Sequence, residues 1–229
     1  DNKLEGAVSY TFQVGADKWK LQVMPDKGWK KTKLVTVTVF GGVVIVLLLT
    51  GLTLALLVLE EQRKNLKILA VTDTMTKIYN RSGFDEAVMK YLRKYPRESC
   101  VMAELDVDNF KFINDMYGHA SGDQALENLA AGMKSYFGEK AILGRNGGDE
   151  FNIFLPDTTC ELARKQLEEF IHMERTFSYK GEKQSFSISL GYAEYPKHAK
   201  NIEELSGYAD AALYEVKRRS KNGCMAYRE

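Results

Sequence analysis

The stretch Arg145-Asn146-Gly147-Gly148-Asp149-Glu150-Phe151 decides the fold around it. An apolar run at 141–143 precedes it, and after it every second residue from Phe151 to Leu155 is apolar, the period of a β-strand. A two-residue glycine turn suits a hairpin between two such strands. Adjacent glycines let a ligand come close, and Asp149 and Glu150 offer the hard oxygen ligands that a divalent cation prefers. The alternative is an ordinary glycine-rich hairpin with solvated acids.

Length and composition limit the number of domains and the classes of function that the chain can have. The chain has 229 residues and a net charge of +1, which suits about one globular domain with attachments and gives no support to general nucleic-acid binding. Its three cysteines, Cys100, Cys160 and Cys224, are far apart and have no metal-ligand spacing. We therefore expect reduced cytosolic thiols rather than a disulfide framework.

The first 33 residues are polar and aromatic and too few to bury a core. Residues 19–25 alternate like a strand that has no partner, and Asp26-Lys27-Gly28 predicts a turn. The segment resembles the closing strand of PAS-like or CHASE-type extracytoplasmic sensor domains. We expect residues 1–33 to be the end of such a sensor domain.

Residues 34–59 contain no charged side chain over 26 positions. At about 1.5 Å per residue, a helix of this length crosses a hydrocarbon core of about 30 Å. We predict a transmembrane helix; a signal peptide is the alternative, although its apolar region would be shorter. Residues 60–72 continue as a charged connector helix, with Leu59, Leu66 and Leu69 at heptad-like positions. Two heptads do not establish a coiled coil.

Residues 73–229 are predicted to form one α+β domain, a sheet sandwich with helices able to cover one face. Four helices are predicted: one after a cap at Asn80 or Ser82, one that begins at Gly122-Asp123, one that spans about 158–174 and one that includes Leu205 to Val216. Predicted strands cover 99–106, both arms of the hairpin, the alternating run 184–195 and an edge strand at 224–227.

A second acidic cluster, residues 106–115, begins where a strand ends. Alternation places Asp106 and Asp108 on the same side of the chain, so they can face the hairpin carboxylates and build a Mg²⁺ site. Lys111 follows in the next turn, where it can contact phosphate as a point charge. The alternative is that Asp106 or Asp108 caps a helix.

Residues 116–123 are predicted to form a glycine-bounded loop. Asn114 can donate and accept hydrogen bonds and Asp123 accepts, so this pair matches the edge of guanine. The alternative makes Asp123 a helix N-cap and His119 a loop histidine. In the last helix, Lys217 and Lys221 are predicted to share a face with Asp210 and Tyr214, where lysines serve either the helix dipole or nucleotide phosphates.

With both acidic clusters in place, residues 73–229 resemble the GGDEF family of diguanylate cyclases. Several ordered motifs at matching spacings are more specific than any one of them. The matching segments are Asp73-Thr74-Met75-Thr76 with Asn80-Arg81, Asp106 to Asp115, Gly118-His119 with Gly122-Asp123, Arg145 with Gly147 to Phe151, Ser187 to Gly191, and Ala209 to Lys217.

The resemblance implies a palm-like α+β domain, similar to that of adenylyl cyclases and to ferredoxin-like folds, with an antiparallel-centred sheet. It implies that two GTP molecules are joined into cyclic di-GMP with release of two pyrophosphates. Asp106, Asp149 and the Val107 carbonyl would hold Mg²⁺ or Mn²⁺. Asp149 would help to deprotonate the attacking 3′-hydroxyl, and Glu150 would support the metal and the charge of the transition state.

The resemblance also assigns the substrate-binding residues. Asn114 and Asp123 would recognise guanine with His119 nearby, and a second set would bind the rest of GTP: Phe110, Lys111, Lys217 and Lys221. Each domain would hold one GTP, so the reaction needs a homodimer. The need for cytosolic GTP also places the catalytic domain on the cytoplasmic side of the inner membrane, although the lysines before the span favour the opposite orientation.

Some positions depart from the family pattern. Gly138 and Ala141 stand where many members carry an inhibitory Arg-x-x-Asp product site, so feedback inhibition through that site is not expected. Lys77 replaces a turn glycine, Ser82-Gly83 replaces a basic pair and Ser220-Lys221 replaces Gly-Arg. Two alternatives to an active cyclase stay open. One is a catalytically silent GGDEF domain that binds GTP or cyclic di-GMP, and the other is a cyclase making a mixed purine dinucleotide.

Overall fold

A computed structural model describes residues 6–26 and 32–228 of the chain. It divides into two compact units, Asp1–Arg63 and Lys64–Glu229.

The first unit contains a β-hairpin. Strand β1 (Val8–Val14) pairs antiparallel with β2 (Asp17–Val23), and Gly15 takes a positive φ of 66° at the turn. The predicted strand therefore has a partner, and the expectation of an unpaired strand was wrong because the short turn at Gly15-Ala16 brings β1 beside it. Of the predicted turn Asp26-Lys27-Gly28, the last two residues lie outside the described residues.

Helix α1 (Thr32–Val71) joins the predicted span and the predicted connector in one run of 40 residues. Residues Lys33–Val71 are long and apolar enough to cross a membrane, with a mean hydropathy of 2.8 in the most apolar window and none of that window buried. At about 1.5 Å per residue, such a helix is about 60 Å long, twice the thickness of a hydrocarbon core. This finding rests on length and composition alone.

The second unit is a mixed α+β domain built on a six-stranded sheet of order β10-β9-β4-β6-β5-β3. Central strand β4 pairs antiparallel with β6 and β9, while the two edge pairs, β3 with β5 and β10 with β9, are parallel. The elements are β3 (Tyr79–Asn80), α2 (Arg81–Lys94), β4 (Cys100–Val107), α3 (Phe110–Tyr117), α4 (His119–Phe137), β5 (Ile142–Gly147), β6 (Glu150–Leu155), α5 (Cys160–Ile171), β7 (Thr176–Tyr179), β8 (Glu182–Ser185), β9 (Ile188–Tyr195), α6 (Ile202–Arg219) and β10 (Cys224–Ala226).

Helices cover both faces of this sheet, which corrects the expectation of one covered face. On one face Val101 and Leu105 of β4 join a core with residues of α4 and α5. On the other face Met102 packs in a core with residues of α2 and α6. Strands β4 and β9 are buried on both sides for this reason, and the alternating pattern expected of a one-sided strand does not describe them.

The predicted strand 184–195 is broken at Phe186-Ser187. Its first part, β8, pairs with the unpredicted strand β7 in a separate two-stranded sheet, and its second part, β9, lies in the main sheet. Within β9, Gly191 lets α6 approach: an added Cβ would lie 2.0 Å from the Leu213 backbone nitrogen and 2.3 Å from the Ala209 carbonyl oxygen.

Several predicted helix ends needed correction. Helix α4 begins at His119, so the predicted loop 116–123 is helical except at Gly118, whose φ of 83° separates α3 from α4. Asp123 is therefore not an N-cap. The predicted helix 158–174 is shorter, Cys160–Ile171, because Thr159 caps it. Asn80 does cap α2 by accepting a hydrogen bond from the Gly83 N–H.

Candidate functional site

The glycine-acid hairpin joins β5 to β6 at one end of the sheet. Its turn residues are Gly148 and Asp149, because Gly147 already pairs with Glu150. This places the turn one residue later than the paired glycines suggested. Gly147 and Gly148 have φ values of 137° and 53°, which glycine adopts at least cost. The half-buried Asp149 consequently stands at the tip, where its carbonyl accepts a hydrogen bond from the Val107 N–H at 3.3 Å.

The end of β4 brings a second carboxylate to this tip. Asp106 pairs directly with Glu150 across the antiparallel β4–β6 ladder, and opposed residues project to the same side of a sheet. Burial raises the pKa of Asp106, and the charges of Asp149 and Glu150 raise it further, while the Lys217 ammonium at 2.7 Å opposes them. Negative charge is thus concentrated where the strand and the hairpin meet.

The donor set at this point suits a hard divalent cation. Mg²⁺ keeps several waters and takes one or two carboxylates plus substrate phosphates, so it does not need a cage made only of protein. The described residues contain no group of three or more His, Cys, Asp and Glu side chains arranged as metal ligands. Asp106 and Asp149, with the Val107 carbonyl beside them, fit Mg²⁺ or Mn²⁺ in this way.

Asp108 has a structural role that the sequence did not reveal. Its buried carboxylate accepts hydrogen bonds from Ser187 Oγ at 2.7 Å, Ser189 Oγ at 2.6 Å and the Asn222 N–H at 2.9 Å. It is not the N-cap of α3, which is the residue directly before that helix. The position before α3 is Asn109, in a left-handed conformation with no side-chain capping bond. The alternating serines at 187 and 189 were the feature of the sequence that could have indicated hydrogen-bond donors for Asp108.

The proposed guanine-reading residues lie on two helices that contact each other, α3 and α4. Asn114 lies on α3 against Gly122 of α4, since an added Cβ at Gly122 would be 2.0 Å from Asn114 Oδ1. Phe110 also approaches Gly122, its ring 3.2 Å from the same point. Asp123 follows Gly122 and is exposed, and His119 is exposed in the first turn of α4. Gly122 therefore makes room for the Asn114 amide.

The three candidate phosphate-binding lysines come from different elements. Lys111 is exposed in the first turn of α3, and Lys217 contacts Asp106 from the last turn of α6. Lys221 lies beyond the end of α6, with a positive φ of 56°, so the prediction that it shares a helix face with Lys217 was wrong. Its Nζ instead donates to Asn109 Oδ1 at 2.7 Å, which brings it to the turn between β4 and α3.

Hydrogen bonds made by Arg145, which the sequence did not predict, hold the hairpin in place. Arg145 donates from Nε and Nη2 to the Gly148 carbonyl, at 3.0 Å and 2.7 Å, and from Nη1 to Asp73 Oδ1 at 3.1 Å. Asp73 Oδ1 also accepts from the N–H and hydroxyl of Thr76. Although burial alone raises the pKa of Asp73, the bonds from Thr76 and Arg145 outweigh it and hold this pKa below its usual value. The turn after α1 is thereby tied to the glycine-acid hairpin.

Comparison with known proteins identifies the family. The protein family described as "Diguanylate cyclase, GGDEF domain" matches residues 70–223 of this chain. A diguanylate cyclase of Vibrio cholerae is 31% identical over 185 residues, which cover 79% of this chain and 57% of the relative. The diguanylate cyclase DgcP of Pseudomonas aeruginosa is 32% identical over 168 residues, which cover 72% of this chain and 24% of DgcP. The chain belongs to the GGDEF family of diguanylate cyclases.

Solved structures agree with this assignment. The coiled coil and GGDEF domain of DgcB from Caulobacter crescentus, in complex with c-di-GMP, superposes with a TM-score of 0.73 at 26% identity and covers 80% of this chain and 98% of that one. The GGDEF domain of PA1120 (TpbB or YfiN) from Pseudomonas aeruginosa gives 0.63 at 30% identity, covering 69% and 94%. The sheet and its flanking helices thus have the GGDEF fold. The chain spans 28%, 46% and 57% of the length of three curated relatives that it matches.

Proposed function

We propose that this chain is an active diguanylate cyclase that condenses two GTP molecules into cyclic di-GMP and releases two pyrophosphates. The observation that carries the proposal is the register of Asp106 against Glu150, with Asp149 in the adjoining turn. This arrangement gathers three carboxylates at the end of the sheet in a chain of the diguanylate cyclase family. A silent domain would not need to retain all three.

The chemistry assigned to these residues is phosphoryl transfer in a palm-like site. Asp106, Asp149 and the Val107 carbonyl would hold Mg²⁺ or Mn²⁺, and the bound ion would supply positive charge to offset that of the GTP phosphates. Asp149 accepts the proton of the 3′-hydroxyl as that oxygen bonds to the α-phosphorus of the second GTP and pyrophosphate leaves. Glu150 supports the metal and the developing charge. The same reaction with the roles of the two nucleotides exchanged, in which the other 3′-hydroxyl attacks the other α-phosphorus and a second pyrophosphate leaves, closes the ring.

Substrate binding is assigned to the helices around this centre. Asn114 donates and accepts hydrogen bonds at the edge of guanine, and Asp123 accepts them. His119 lies nearby, and the Phe110 ring lies close to Gly122. Lys111 and Lys221 bind phosphate oxygens on both sides of the β4–α3 turn. Lys217, which pairs with Asp106 at 2.7 Å, can transfer its contact to the triphosphate when a metal neutralises Asp106.

A homodimer is part of the proposal, because one site holds one GTP and the reaction joins two. We propose that residues 34–59 anchor the chain in the cytoplasmic membrane with the catalytic domain in the cytoplasm. Residues 1–33 would then end an extracytoplasmic sensor domain, and residues 60–72 would pass its movement to the catalytic domain. The length and apolar character of α1 support this arrangement. Gly138 and Ala141 offer no charged groups for an inhibitory product site.

The experiment that tests the function is product analysis. A purified 60–229 fragment, fused to a dimerising partner and given GTP with Mg²⁺, is expected to form cyclic di-GMP, which chromatography resolves from GTP and linear products. A folded, GTP-binding dimer that yields no product would contradict the enzyme proposal and would favour a catalytically silent binding module. A mixed purine dinucleotide from GTP and ATP would correct the substrate.

Replacing Arg145 with lysine tests the link behind the hairpin. Lysine keeps the charge but loses the fork that holds the Gly148 carbonyl and Asp73 together. We expect kcat to fall about tenfold, the equivalent of about 1.4 kcal/mol in barrier height, since small misplacements of reacting groups are costly. Steady-state kinetics of the dimerised fragment measure this change. The control is Arg164→Lys, an exposed ion pair on α5; equal losses in both variants would contradict a specific role for Arg145.

Replacing Gly122 with alanine tests the guanine pocket. The added methyl would overlap Asn114 Oδ1, so the amide must turn away from its position. We expect KM for GTP to rise about tenfold with kcat less affected, because ground-state recognition is lost. Gly132→Ala on the same helix is the matched control, since an added Cβ there has no neighbour within 4 Å. An unchanged KM in Gly122→Ala would refute the placement of guanine beside Asn114.

A further inference from the structure

A second concave site lies behind the hairpin, between α2 and α6 and over β4 and β6. It has a volume of about 580 Å³, within the range of small-molecule sites in proteins. Asn146 and Glu150 of the hairpin form part of its wall. Arg81, Asn152 and Ser206 also line it.

The lining of this cavity is strongly acidic. Five carboxyl-bearing residues face one guanidinium, that of Arg81, among the described residues that line it. The acids come from four different elements, α2, β4, β6 and α6, so they are brought together by the fold and not by a local charge run. The carboxylates are Asp85, Glu104, Glu150, Glu203 and Asp210. A site with this balance attracts cations.

The floor of the cavity is polar. Glu104 and Asn152 are directly paired between β4 and β6; on that face the pair is flanked on one side by the core residues Met102 and Phe154 and on the other by the carboxylates Asp106 and Glu150. Ser206 of α6 donates its hydroxyl proton to Glu104 Oε1. Polar side chains at the centre of a sheet are costly to bury unless they are hydrogen-bonded. The side chains of Glu104 and Asn152 therefore each need a hydrogen-bond partner.

Asn152 lacks that partner. Its side chain is 3% exposed, and its Oδ1 is the one buried side-chain oxygen or nitrogen in the described part of the chain without a hydrogen bond. An unpaired buried acceptor of this kind requires an explanation, since the great majority are satisfied. Because Oδ1 accepts only, the missing group is an N–H or O–H donor.

We propose that this cavity binds a small organic cation that carries N–H donors, a primary amine or a guanidinium. Such a ligand supplies the donor that Asn152 Oδ1 lacks and the positive charge that Glu104 and Asp210 attract. This cavity adjoins the catalytic site proposed above, and Glu150 borders both.

Binding can be measured without turnover on the full 229-residue chain in detergent. The probe is agmatine, which has an ammonium group at one end and a guanidinium at the other. Isothermal titration without GTP or divalent metal, at about pH 8 where free carboxyl groups are ionised, is expected to give one agmatine per chain. The isosteric variant Asn152→Leu is expected to weaken the agmatine Kd about tenfold, the effect of losing a hydrogen bond to a charged group. Because leucine suits a buried strand, this variant should remain folded.

Further variants make the test specific. Glu104→Gln is expected to weaken agmatine as well, whereas Glu86→Gln removes a charge from α2 outside the cavity and should not. The uncharged analogue 1,4-butanediol should not bind. The proposal is overturned if wild type does not bind millimolar agmatine, or if wild type and Asn152→Leu bind it equally. Mg²⁺ alone binding in wild type but not in Asn152→Leu would also overturn it, because the site would then be a metal site. None of these outcomes depends on cyclic di-GMP synthesis.

Discussion

Asp149→Asn is expected to lower cyclase activity by about 10²- to 10⁴-fold, the usual contribution of a positioned general base, with further loss from weaker metal binding. The change removes one negative charge but keeps the shape of a side chain that stands half-buried in the hairpin turn. The fold should therefore persist. Rates of cyclic di-GMP formation by the dimerised fragment measure the loss, and circular dichroism with GTP titration measures what remains.

Asp157→Asn is the matched control for this substitution. Asp157 follows the other end of β6, is exposed and also lies in a turn, with a positive φ of 46° that asparagine tolerates. It should keep wild-type activity. Wild-type kcat in Asp149→Asn would remove this carboxylate from the mechanism, and loss of activity in both variants would point to charge or stability instead of chemistry.

Gly191→Ala is expected to produce the largest loss of stability of any single methyl addition considered. An added Cβ would overlap the backbone of Leu213, Ala209 and Ala212 in α6, which cannot rotate out of the way as a side chain can. We expect the free energy of unfolding to fall by about 3 kcal/mol or more, as for severe overpacking. In a domain of this size the Tm should drop by about 10 °C. Urea and thermal denaturation followed by circular dichroism check both values.

Gly207→Ala serves as the control because it lies in α6 itself. Its added Cβ has no neighbour within 4 Å, and alanine favours helix by about 1 kcal/mol over glycine. We therefore expect the opposite sign, a small gain in stability. If Gly191→Ala unfolded at the wild-type urea concentration, the close approach of α6 to β9 would be in error.

Local patterns were enough to predict most elements of the domain. The hairpin followed from paired glycines between apolar runs, and helices α2, α5 and α6 followed from their apolar stripes. The position of Asp106 at the end of a strand also followed from alternation. These features depend on residues that are near one another in sequence, where side-chain period and turn chemistry leave a visible pattern.

Features that depend on distant residues were missed or misplaced. The bond from Lys221 to Asn109 joins residues 112 positions apart, and the three donors to Asp108 lie 79, 81 and 114 positions away. No local period reports such contacts. The extent of β9 was also misjudged, because the alternating run continues from β8 through Phe186-Ser187 into β9 and does not show the break between the two strands.

The tie between Arg145 and Asp73 bears on where the autonomous domain begins. Asn80 caps α2 and also donates from Nδ2 to the Ala70 carbonyl at 2.8 Å, so the last turn of α1 is bonded to the domain as well. A shortened protein that starts after Asp73 would keep every hairpin residue yet lose the carboxylate that anchors Arg145. In such a truncation the glycine-acid hairpin would be less rigidly held, and inactivity of the shortened protein would reveal nothing about the longer chain. The boundary for dissecting this protein therefore lies inside the helix, upstream of residue 70.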